Sequence, residues 1–236
     1  MGSRTAGTGG GVTWSPPGKY QALLLALAVL FVAYPVTRNS TAARVAYDVL
    51  LSLIVLGVFL PVFPTARLRL LAVTVGGPML VVNWTSYLRS DLPVAQGSHA
   101  LAALFNGLLA AMIVTAVSRE GRVSADAVYG ALCGYLLIGI AFGHLYCLVE
   151  SAAPGSFLGQ AGLTEQLRDA GRQRFLLTYF SFATMTTLGY GDITPATDVA
   201  RSLAATEAIL GQFYVAVLIA EFVGKRIAQG TPPPAR

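Results

Sequence analysis

The stretch Thr184-Met185-Thr186-Thr187-Leu188-Gly189-Tyr190-Gly191-Asp192 decides how the rest of the chain is read. It sits in an otherwise apolar protein, between a hydrophobic segment ending near Val149 and another beginning near Asp198. On its own a Gly-Tyr-Gly reads as a turn in an exposed loop. Its surroundings argue otherwise, since an amphipathic run precedes it and a long hydrophobic helix pattern follows it. The 236 residues are 55% hydrophobic and 11% charged, less than half the roughly 25% charge of a soluble domain. The composition is that of a membrane protein. Cys133 and Cys147 fall inside one apolar segment, so neither a disulfide framework nor a metal cluster is indicated, and they read as packing residues. The formal charge of +5 would suit nucleic acid in a soluble protein. Here the basic residues flank apolar runs, so they read as topology signals and no nucleic-acid partner is expected.

From Thr187 to Asp192 the stretch resembles the selectivity filter of potassium channels, T-x-G-Y-G-D. It matches at Thr187, Gly189, Tyr190, Gly191 and Asp192 and carries Leu188 where Val or Ile is commoner. The resemblance implies a chemistry. A potassium ion entering a narrow pore loses its water, and rings of backbone carbonyls replace it. Thr187, Leu188, Gly189 and Tyr190 would supply the K+ sites, with Gly191 completing the filter. Successive carbonyls face one way only if the backbone alternates between ordinary and left-handed conformations, which Gly189 and Gly191 adopt without a steric penalty. Thr187 would add its hydroxyl to the lowest ring, while Leu188 and Tyr190 point outward into the wall. Tyr179 and Phe180 occupy the place of the family's aromatic pair, which packs behind the filter. Thr186 is expected to support the filter, and Asp192 to attract cations at the outer mouth. Ala183 stands where some bacterial members carry a Glu paired with that Asp, so the support here falls more on Tyr179. One chain holds one filter strand, so the resemblance implies a homotetramer in lipid, with K+ as permeant ion and no cofactor.

The expected fold is an all-α membrane protein of six transmembrane helices plus a re-entrant pore helix and filter loop. Residues 1–19 read as a disordered tail. Residues 20–122 read as a four-helix domain with apolar runs at about 20–36, 45–63, 68–87 and 99–118, each near the ~20 residues that cross the hydrocarbon core. Gly76-Gly77-Pro78 is expected to kink the third run, and Trp84 and Tyr87 sit where interfacial anchors belong. Residues 123–228 form the pore domain, with spans at about 126–149 and 198–224, and 229–236 a short tail. Six spans put both termini on one side. With the termini cytoplasmic, nine basic residues fall inside and seven outside, a slight bias in the expected direction. The filter, placed near the outer face by the resemblance, agrees with a multi-pass plasma-membrane protein of this orientation. Arg (14) exceeds Lys (2), with much Ala and Gly, which points to a GC-rich bacterium.

Within the pore domain, residues 150–173 read as a hydrophilic turret and 175–186 as a short pore helix. The C-terminal dipole of that helix would favour a cation in a central cavity. Thr197-Asp198 is a helix start with its N-cap. Gly211 falls where the family often has a hinge glycine, although close helix packing explains it equally well. Glu207 is the one acid deep in the last span, and intramembrane acids are functional suspects. It reads either as bonded to pore-helix groups such as the Thr184 hydroxyl or as a cavity charge, the former being preferred. His99 reads as a single interfacial histidine, with a pH-sensing role as the lesser alternative.

A potassium-selective channel is therefore the leading expectation. The alternatives are a less selective cation channel, a potassium-transporter subunit, or a non-conducting receptor or scaffold of the same fold. No span carries a cluster of catalytic groups, so an enzyme is not expected. The layout resembles the voltage-gated cation channels, whose fourth span carries Arg or Lys at every third position. Here the fourth run has none before Arg119. Steep gating needs roughly 3–4 charges in each of four subunits. The conductance of the reconstituted protein should thus change by less than about tenfold over 100 mV. A steep conductance–voltage curve would refute that expectation. The regulatory stimulus is not legible.

Overall fold

The computed structural model describes residues 18–33, 66–85, 92–160 and 162–230, together with Val45, Val49 and Ser52. Most of the second apolar run, Tyr87, and residues 1–17 and 231–236 lie outside the described residues. In chain order the elements are α1 (Lys19–Ala33), α2 (Ala66–Thr85), α3 (Leu92–Arg119), α4 (Ala125–Ala152), β1 (Phe157–Gly159), α5 (Leu163–Arg168), α6 (Ala170–Met185), β2 (Ile193–Pro195) and α7 (Asp198–Gly230). Among the described residues three helices are long and apolar enough to cross a membrane: Val94–Arg119, Ala125–Ala152 and Asp198–Gln229. Lys19–Ala33 is a shorter apolar helix.

Two sequence expectations change. The turret at 150–173 is not a plain loop, because α4 runs on to Ala152 and α6 begins at Ala170, with β1 and α5 between them. Strands β1 and β2 pair antiparallel, Phe157 opposite Pro195 and Gly159 opposite Ile193, so the fold is not purely helical. Helix α2 continues as helix through Pro78.

Helix α4 is the spine. The Ser124 hydroxyl caps its start by accepting the Ala127 N–H at 3.0 Å. The Asp126 carboxylate accepts the N–H groups of Tyr20 (3.0 Å) and Gln21 (3.2 Å), and so caps α1 as well. Both helices therefore begin at one end of the bundle, and α3 ends there too, joined to α4 through residues 120–124. The first half of α4 buries Ala131, Cys133 and Leu137 against Tyr20 and Leu23 of α1, Met79 of α2, and Phe105, Leu109 and Ile113 of α3. The second half buries Phe142, Tyr146 and Cys147 against Leu177 and Phe180 of α6, Phe157 of β1 and Ala200 of α7. One helix thus belongs to two cores.

Near the far end of α4, His144 meets His99 of α3 with the two Nδ1 atoms 3.1 Å apart, so His99 is not alone. Approach of α6 to α4 is close. A Cβ at Gly143 would stand 2.9 Å from the Thr178 backbone Cα, which small residues avoid at helix contacts in lipid. Gly143→Val should therefore push α6 off α4 and cost ~1–3 kcal/mol, about 3–10 °C in the melting temperature of the detergent-solubilised protein. An unchanged melting curve would show that the contact is not close-packed.

Candidate functional site

Glu207 of α7 is wholly buried (0% exposed), an arrangement that a carboxyl group tolerates only with partners. The hydroxyls of Tyr146 in α4 and Ser181 in α6 hydrogen-bond its two oxygens. Ser181 Oγ also lies 2.7 Å from the Gly139 carbonyl of α4. One hydroxyl proton cannot serve two acceptors, so the set closes when a second proton sits on the Glu207 carboxyl. Three helices are joined at this point. The preferred sequence expectation, a bond from Glu207 to a hydroxyl of the helix before the strand, is met by Ser181 rather than Thr184, and Tyr146 of α4 is a second partner that was not anticipated. Gly211, one turn on, lies in an unbroken stretch of α7. A Cβ there would stand 2.8 Å from the Met185 carbonyl, so close packing rather than a bend explains the glycine in this structure.

Met185 ends α6 and the strand follows. Thr187, Gly189 and Gly191 have φ of 60°, 50° and 75°. Every second residue is left-handed, and turning each alternate peptide in this way brings successive carbonyls toward one side. Gly189 and Gly191 were expected to do this. Thr187, a β-branched residue for which φ > 0 is an outlier, was not. The base of the strand is fastened to the last turn of α6, Thr187 N–H to the Thr184 carbonyl and Gly189 N–H to the Ala183 carbonyl, each at 3.0 Å. Thr186 donates its hydroxyl to the Phe182 carbonyl at 2.6 Å and stays exposed.

The outer end is fastened separately. Tyr179 donates its hydroxyl to the Asp192 carboxylate at 2.9 Å, and its ring stacks on Tyr190 with centroids 6.5 Å apart. Phe180 turns the other way and packs edge-on against Tyr146 and Phe157, 5.1 and 5.4 Å between centroids. The aromatic pair is therefore divided: Tyr179 touches the strand, and Phe180 belongs to the core behind it. Gln160, just past β1, donates its backbone N–H to the Asp192 carbonyl (2.8 Å) and its amide to the Gly191 carbonyl (2.9 Å). Sequence reading missed Gln160. The apolar pair Phe157-Leu158 within a hydrophilic loop was its one signal. Glu150, also missed, is buried and accepts the N–H groups of Gly155 (2.8 Å) and Phe157 (2.9 Å), which orients the turn into β1. Among the described residues no group of three or more His, Cys, Asp or Glu could hold a metal.

Membrane-length apolar helices around a polar clasp and a short loop define a helical membrane protein. The comparisons narrow that class: residues 131–226 match the family described as Ion channel, which takes in most of α4, the loop and nearly all of α7. Channels are not enzymes. "Two pore potassium channel c" of Oryza sativa subsp. japonica is 35% identical over 92 residues, 39% of this chain and 17% of that protein. "Protein LctB" of Bacillus caldotenax is 28% identical over 127 residues, 52% of this chain and 90% of that protein. No solved structure matches.

Removing the carboxyl by Glu207→Ala would leave the Tyr146 hydroxyl buried without its acceptor, at about 1–3 kcal/mol, while Ser181 keeps the Gly139 carbonyl. Glu207→Gln keeps a donor and an acceptor there. The Ala variant should melt well below the parent and the Gln variant close to it. An Ala variant that melts with the parent would show that the clasp contributes nothing.

Proposed function

We propose that the chain is one subunit of a potassium-selective channel that assembles as a homotetramer in the plasma membrane and passes K+ down its gradient. The observation that carries this reading is the backbone of residues 187–191, left-handed at every second residue and fastened at both ends. Four such strands around an axis offer carbonyls of Thr187, Leu188, Gly189 and Tyr190 in rings that replace the hydration of K+. The ion-channel match over residues 131–226 spans the same part of the chain. Six transmembrane segments, a re-entrant α6 and cytoplasmic termini complete the arrangement.

Exposure in the single chain supports assembly. Leu188 is 54% and Tyr190 67% exposed, although both are large apolar groups beside the strand. Helix α7 likewise exposes Ile209, Phe213, Val217 and Ile219, a face suited to neighbouring copies and lipid. Asp192 adds negative charge at the mouth while held by Tyr179. Helix α3 has no Arg or Lys before Arg119, in keeping with weak voltage dependence.

Reconstitution in liposomes tests the proposal. Reversal potentials should follow the K+ gradient and ignore the Na+ gradient. Tyr190→Ala should reduce the preference for K+ by about tenfold or more, a loss of ~1.4 kcal/mol. A wild-type pore that reverses at zero in opposed K+ and Na+ gradients would overturn selectivity.

A further inference from the structure

The carbonyls of the strand that follows α6 divide into two sets. Among the described residues no group donates to the carbonyl of Thr187, Leu188, Gly189 or Tyr190. The next two carbonyls are both taken, that of Gly191 by the Gln160 amide at 2.9 Å and that of Asp192 by the Gln160 N–H at 2.8 Å. A carbonyl can only accept, so the amide nitrogen is the atom of Gln160 that faces Gly191. One residue marks the place where free carbonyls give way to engaged ones.

The pairing of β1 with β2 puts Gln160 there. Gly159 lies opposite Ile193, and one step on in the same antiparallel register Gln160 meets Asp192. At the other end of the ladder the Ala196 N–H donates to the Ser156 carbonyl at 2.7 Å. Behind Gln160 the chain is tied to the start of α5. The Leu163 N–H donates to the Gln160 carbonyl at 3.0 Å, and the Thr164 hydroxyl bridges the N–H (3.0 Å) and the carbonyl (2.6 Å) of Gly159. Both backbone groups of Gln160 are thus fixed, and the side chain is left to hold Gly191. Gly191 itself is left-handed, as Thr187 and Gly189 are, and a glycine offers no steric resistance to a turn of its carbonyl. Released from the amide, that carbonyl could join the four before it. K+ preference rests on the fit of each site and the number of carbonyls around it, and an added, untethered ring changes both.

We infer that Gln160 is a positioning residue for selectivity: by holding the Gly191 carbonyl on the protein it ends the ion-coordinating set at Tyr190. This rests on the channel reading above. The test uses the full chain in liposomes, with reversal potentials in opposed K+ and Na+ gradients, because a charge added near the mouth draws both cations alike. Gln160→Leu should lower the K+ preference by about threefold or more. Gln160→Glu replaces the donor with a carboxylate and should lower it likewise at neutral pH. At about pH 4 its protonated carboxyl donates again, so its preference should return toward the wild type while Gln160→Leu stays low. Asp192 and Tyr190 of the strand, Tyr179 of α6, and Glu165 and Arg168 of α5 are common to all three proteins, so each comparison is made at one pH. Wild-type preference in both variants, or no recovery of Gln160→Glu in acid, overturns the inference.

A second readout does not depend on conduction. Gly191-Asp192 is the one Gly-Asp pair in the sequence, so isotope labels on glycine carbonyl carbon and aspartate nitrogen report this single peptide bond by NMR. Its signal should move farther between Na+ and K+ in Gln160→Leu than in the wild type. An equal or smaller movement overturns the inference even if the wild type is selective. A wild type without K+ preference whose signal still moves farther in Gln160→Leu would count against the channel reading alone.

Discussion

A carboxyl group removed from solvent has to be matched by partners that leave no donor or acceptor idle. Glu207 is in that position, and its partners come from two other helices. Because Ser181 in turn bonds the Gly139 carbonyl, the set joins α4, α6 and α7 at one point. The register of α6 along α4 is set there, and with it the height at which α6 ends and the strand begins. Apolar contact alone would not choose that register, since a greasy helix surface offers many nearly equal positions in lipid. Directional bonds to a buried group choose one.

The strand depends on that choice because it is strained. Thr187 at φ 60° holds a conformation that costs a β-branched residue on the order of 1–3 kcal/mol. Such a residue persists only where the surroundings over-determine it. Two bonds to the end of α6 hold the base, while Gln160 and Tyr179 hold the outer end. The outer fastening is itself secured by the pairing of β1 with β2 and by the ring cluster of Tyr146, Phe157 and Phe180. Strain at Thr187 is thus balanced by ordered contacts from four elements.

Helix α4 transmits between regions because its two halves serve two cores. Its glycines make this possible without voids: Gly130 lies against Tyr20 and Val117, and Gly139 and Gly143 against α6. A larger residue at these positions would separate the helices that meet there. The aromatic side chains of α6 take up the remaining space, Phe180 filling the core and Tyr179 reaching the strand. Neighbours in sequence, they point to different faces of one helix and so do different work.

Local chemistry was legible in the chain. Apolar run length predicted α3, α4 and α7, and the spacing of Gly189 and Gly191 predicted their left-handed backbone, because both properties are set by residues within a turn or two of each other. The absence of basic residues in α3 before Arg119 was equally plain. The particular partners of distant residues were not legible, although a bond from Glu207 to the helix before the strand was expected. Glu207 bonds Tyr146 at a separation of 61 residues and Ser181 at 26, Gln160 reaches Gly191 across 31, and His99 meets His144 across 45. No periodicity encodes such pairs, since each depends on how two helices or strands are set against one another. The left-handed Thr187 belongs with them: a β-branched residue does not choose φ > 0 by itself, and only the tertiary fastening of the strand imposes it.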